Sequence, residues 1–95
     1  MDDFFAPPAF KPAEALVQLK RQLRELRPLA ERGDGFVWQG HEVIVLRADV
    51  QSIEARLARR PARSPEWLTH TLKNGADVRR FLDTVKAQLP RWSDE

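Results

Sequence analysis

No cysteine occurs among the 95 residues, which excludes a disulfide framework, a thiolate zinc site and a cysteine nucleophile. Stability must therefore come from packing. No apolar run approaches the ~18 residues of a membrane-spanning helix, and the chain opens with Asp2 and Asp3 where a secretory signal would be basic. The expectation is a cytoplasmic, bacterial protein with no membrane partner. Only four glycines are present, at 33, 35, 40 and 75. Gly33-Asp34-Gly35 lacks a third glycine and follows a helical pattern, so it fails the context of a dinucleotide-binding loop. The two histidines are equally sparse in meaning. His41 adjoins Glu42, but neighbours on a strand point to opposite faces, and His41 with His70 falls short of a zinc ligand set. The expectation is a non-enzymatic protein with no cofactor and no metal.

What is present fits a folded domain. Hydrophobic residues make up 42% and charged residues 32% of the chain, an ordinary globular balance, and a chain of this length buries roughly 60 to 70% of its unfolded surface. One α+β domain is expected over residues 12–92. It is preceded by an extended, partly disordered arm (1–11), which contains Phe4, Phe5 and Phe10 among prolines, and is followed by a short disordered tail (93–95). Sixteen basic residues face 14 acidic ones; setting aside Asp2, Asp3, Asp94 and Glu95 leaves 16 against 10, or about +6 on the body. Arginine supplies twelve of the sixteen positive charges.

Along the chain, Pro12 suits a first helical turn, and Leu16, Leu19, Leu23, Leu26 and Ala30 follow at spacings of three and four, the signature of an amphipathic helix. Pro28 disfavours its continuation. Phe36 to Leu46 concentrates β-branched and aromatic residues around Gly40 and predicts a hairpin. A loop at Gly40-His41 is preferred over one at Gln39-Gly40, because it pairs Trp38 with Val43, Val37 with Ile44 and Phe36 with Val45. The unbroken run Val43 to Leu46 predicts a central strand. Asp49 then caps a second helix with Val50, Ile53 and Leu57 as its stripe, closed by Pro61. The alternation in Trp67 to Lys73 predicts a strand. Asn74-Gly75 leads into a last helix with the stripe Val78, Phe81, Leu82, Val85 and Leu89, ended by Pro90, and Trp92 folds back onto the body. Ala48-Asp49-Val50 recurs as Ala76-Asp77-Val78, so the two turns should be alike. The predicted order is α-β-β-α-β-α: a three-stranded mixed sheet, made of a hairpin plus one parallel strand, packed with three helices.

Two sets of residues are candidates for function. The leucine face of the first helix (Leu16, Leu19, Leu23, Leu26) and the phenylalanine arm (Phe4, Phe5, Phe10) predict contact with a protein partner or a homodimer. Lys20, Arg24, Arg56, Arg59, Arg60 and Arg63 are candidates for the backbone phosphates of RNA or DNA, which suit the guanidinium fork, provided that both helices face one way. No ribonucleoprotein aromatic motif accompanies them. The expected function is therefore protein contact or self-association, with nucleic-acid binding as the alternative.

Overall fold

The computed structural model describes residues 10–93. Its elements are α1 (Pro12–Arg24), β1 (Ala30–Arg32), β2 (Gly35–Trp38), β3 (His41–Ala48), β4 (Ile53–Ala58), β5 (Trp67–Leu72) and α2 (Gly75–Ser93). The strands form one sheet in the order β1-β2-β3-β4-β5, every neighbouring pair antiparallel. The α+β class holds. The three-stranded mixed sheet with three helices does not: the described residues form two helices and five strands with no parallel pair.

The largest correction concerns residues 49–58, expected to be helical and found as a turn followed by β4. Glu, Ala, Arg and Leu are good helix formers, and Val50, Ile53 and Leu57 stand at helical spacing. The same stretch also carries a period of two, with Ile53, Ala55 and Leu57 buried and Arg56 exposed. Pairing with β3 on one side and β5 on the other satisfies the second pattern and overrides local propensity. Val50 is 86% exposed at the turn, which is closed by Asp49 N–H to Ser52 O at 2.7 Å. The recurrence at Ala76-Asp77-Val78 is not a repeat of this geometry. There Asn74 Oδ1 accepts from Asp77 N–H (2.8 Å) and Asp77 Oδ2 accepts from Lys73 N–H (3.0 Å), capping α2 from both directions.

The hairpin takes the register that was not preferred. Its loop is Gln39-Gly40, with φ of 50° and 84°, so that Trp38 faces His41 and Val37 faces Glu42. Positive φ at both loop residues matches the twist of the flanking strands, and this outweighs the apolar pairs expected one residue further on. A β-bulge then skips Val43, so Phe36 pairs with Ile44. The bulge brings both Val43 and Ile44 into the core, each 0% exposed. Gln39 is the residue least suited to its backbone. Gln39→Asn is expected to stabilise the protein by about 0.5 kcal/mol, a rise of roughly 2–4 °C in a thermal melt.

Central β3 is flanked by two strands on each side, as its unbroken apolar run predicts, although only one of its faces is covered and the bulge accounts for the adjacent buried pair Val43 and Ile44. Both helices lie on one face of the sheet, in contact with each other, α1 against β3 and α2 against β5. Leu19 and Leu23 from α1 and Phe81, Leu82 and Val85 from α2 meet Phe36, Ile44, Leu46, Ile53, Ala55, Leu57 and Leu72 in one core. Ala30, expected to end the leucine stripe, instead begins β1 beyond the Arg27–Pro28 cis peptide. Pro90 does not end α2 as expected. The helix runs to Ser93, because the next apolar position, Trp92, is buried (3% exposed). Its Nε1 donates to Arg59 O (3.2 Å), and its ring meets Trp38 edge-on at 6.0 Å between centroids.

Candidate interaction site

The uncovered face of the sheet is polar. Pairing sets Val45 beside Arg56 and Thr69, and Arg47 beside Glu54 and Thr71, across β3, β4 and β5. Arginine, glutamate and threonine alternate there, and Arg56 Nη2 lies 3.3 Å from Glu54 Oε1. This face offers no single-sign charge field, and Trp67, paired with Ala58, sets an indole at its β5 margin.

The two edges of the sheet differ sharply. β1 is three residues long, all exposed, and carries Glu31 and Arg32. Arg24 reaches from α1 to Glu31 with Nε at 2.6 Å from Oε1 and Nη2 at 3.4 Å from Oε2. That hydrogen bond holds the Glu31 carboxyl below its ordinary range and pushes the Arg24 guanidinium up. A short charged edge of this kind resists further pairing.

β5 is six residues long and reads Trp-Leu-Thr-His-Thr-Leu, with no Lys, Arg, Asp, Glu or Pro. Its backbone polarity follows from the register. Arg59 N–H donates to Glu66 O at 2.9 Å, and Arg59–Glu66 continues the ladder that pairs Ala58 with Trp67. Hydrogen-bonded pairs alternate along an antiparallel ladder, so Leu57–Leu68, Ala55–His70 and Ile53–Leu72 are the bonded pairs. The Asp49–Ser52 bond at the opposite end of β4 gives the same result, since it directs Glu54 and Arg56 toward β3 and leaves Ile53, Ala55 and Leu57 for β5. The N–H and C=O of Trp67, Thr69 and Thr71 therefore point away from the sheet. Lys73 N–H, next in the series, is taken by Asp77. Beside this edge a cleft of about 420 Å³ separates β5 from α2, lined by Thr69, His70 and Thr71 on one side and Asp77, Arg80, Phe81 and Thr84 on the other. The His70 ring meets Phe81 at 5.5 Å, and its Nε2 is buried without a hydrogen-bond partner among the described residues.

The residues singled out from the sequence are dispersed. Leu19 and Leu23 are 0% exposed within the protein's own core, and Leu16, Leu26 and Phe10 pack partly buried against it. Phe4 and Phe5, most of the proposed arm and the last two residues of the tail lie outside the described residues. Lys20 is 3.9 Å from Asp34, Arg24 is paired with Glu31, Arg56 with Glu54, and Arg59 with Glu66 at 3.2 Å. Lys20 and Arg24 belong to the helical layer, whereas Arg56 lies on the opposite face of the sheet, so the six do not share one surface. Arg59 and Arg60 do converge with Arg91, Gln88 and Ser64 on a shallow depression of about 580 Å³, where Glu66 offsets part of the charge. Sequence reasoning identified Trp67 to Lys73 as a strand, and a three-stranded sheet with Val43 to Leu46 at its centre leaves it at an edge, but parallel to β3 and beside it; in the structure β4 lies between them and β5 is antiparallel to β4.

Among the described residues no group of three or more histidine, aspartate or glutamate side chains is placed to hold a metal ion, and no helix is long and apolar enough to cross a membrane. No protein-family model matches the chain, and no curated protein or solved structure is significantly similar to it.

Proposed function

We propose that the chain is a non-catalytic interaction protein that takes an extended polypeptide strand onto the outer edge of β5. The observation that carries this reading is the contrast between the edges. β5 presents six outward backbone groups, two each on Trp67, Thr69 and Thr71, with no charge or proline in the strand to deter pairing. Natural sheets ordinarily guard such an edge, as β1 is guarded here, and strand addition supplies main-chain hydrogen bonds while a neighbouring cleft receives alternate side chains. The cleft between β5 and α2 lies where those side chains would fall.

The experiment is residue-resolved amide exchange on dilute protein. Leu68, His70 and Leu72, bonded to β4, are expected to exchange slowly, and Thr69 and Thr71 at least about tenfold faster. Strong protection of Thr69 and Thr71 in the dilute monomer would mean that the edge is already occupied within the chain, and the reading would fail.

A further inference from the structure

The outward residues of β5 have a symmetry of their own. Trp67 and Thr71 stand two residues either side of Thr69, so an antiparallel strand of the same sequence centred on Thr69 presents the same three residues in reverse. From this self-complementarity, and resting on the edge reading above, we infer that the strand β5 takes is β5 of a second copy, across a two-fold axis at Thr69 that joins two five-stranded sheets into one of ten strands.

This register pairs Thr69 with Thr69 of the second copy, and Trp67 of each copy with Thr71 of the other. All six outward groups on each strand are then satisfied at once. A shift by two residues in either direction would use Lys73, whose N–H is committed to Asp77, or Pro65, which has none. On the open face the register sets an indole ring opposite a threonine at each end and threonine opposite threonine at the centre, aromatic–β-branched and Thr–Thr pairs that favour a sheet. The strand is bracketed by Glu66 before it and Lys73 after it. An antiparallel copy therefore brings opposite charges together at both ends, whereas a parallel one would set like against like. On the helical face the register sets Leu68 of the second copy opposite His70, beside the cleft lined by Phe81 and Thr84. Arg80 stands 3.6 Å from Asp77 there, which offsets part of the charge that each α2 presents to the other.

Three measurements on the full chain test the inference. The mass by light scattering, from about 10 μM to about 1 mM, is expected to rise from monomer toward dimer, with Thr69 and Thr71 amide protection rising in parallel. Because the chain has no cysteine, Thr69→Cys introduces a single thiol, and mild oxidation is expected to give a covalent dimer. Directly opposed bonded residues lie ~5.5 Å apart between Cα atoms, within disulfide reach. Thr69→Pro removes an N–H that faces away from β4, so it is expected to weaken association at least about tenfold with an unchanged far-ultraviolet spectrum. A monomeric mass throughout, no disulfide dimer of Thr69→Cys and amides that stay open would overturn the second copy as occupant while leaving the open edge standing. A dimer in which the Thr69 and Thr71 amides remain open would be built elsewhere and would likewise overturn the second copy as occupant of this edge.

Discussion

Gly35→Ala is expected to destabilise the protein by about 3 kcal/mol or more, a large part of the 5–15 kcal/mol typical of a domain. A Cβ at Gly35 would collide with the main-chain oxygen of Ile44 and come within 3.3 Å of Val45 Cα. These are backbone atoms of the central strand, so neither can rotate away. Relief would require β2 to part from β3 next to the bulge, exposing Phe36 and Ile44, both 0% exposed in the native fold. Gly33→Ala is the control. Gly33 has φ of 60° but nothing within 4 Å of its added carbon, so the cost is the left-handed conformation alone, about 1 kcal/mol. Urea denaturation of the two variants should separate steric exclusion from backbone preference. Equal losses would show that the main chain of β3 yields to an added Cβ at no more cost than a left-handed residue.

Trp92→Ala is expected to cost about 3–5 kcal/mol. The indole is 3% exposed, meets Trp38 of β2 edge-on and donates to the carbonyl of Arg59 at the end of β4. It therefore joins the last turn of α2 to two strands that are not adjacent in the sheet. Trp92→Phe keeps most of the apolar contact and removes the donor, leaving Arg59 O without its partner, and should cost only about 1–2 kcal/mol. The two variants can be ranked by their urea midpoints. An alanine variant as stable as wild type would mean that the turn beyond Pro90 is peripheral to the fold.

Trp92 also shows how sequence signals succeed or fail here. Its return to the body was legible, because it follows Leu89 at helical spacing, but Pro90 suggested a helix end that the buried position beyond it overrides. β5 and central β3 were legible from alternation and from an unbroken apolar run. β4 was not, because its residues favour a helix in isolation and only two neighbouring strands make the period of two decisive. β1 was hidden by being short and entirely polar. The hairpin register turned on the Gln39-Gly40 backbone, while the bulge that reconciles it with the apolar pattern leaves no mark in the sequence. The arginines were visible as residues, but the carboxylates that pair with Arg24, Arg56 and Arg59 come from sequence separations of seven, two and seven, positions that a face-by-face reading of helices does not connect. β5 was read correctly as a strand, but its neighbour and its direction depended on residues 49–58, read as a helix and found to contain β4.

The order β1-β2-β3-β4-β5 has a kinetic consequence. Every strand pairs with its predecessor in the chain, so each step of sheet assembly closes only a short loop and carries a small entropic barrier. Zippering can begin at any hairpin and spread both ways. The costly closures are those that bring α1 and α2 together over the sheet and carry Trp92 back to Arg59, so docking of the terminal helices carries the largest loop-closure entropy. Until it occurs, the helix-facing side of β5 is bare while its outer edge is already formed. A sheet formed ahead of helix docking would bare the outer edge of β5 and the unsealed core together, the combination that invites edge-to-edge aggregation.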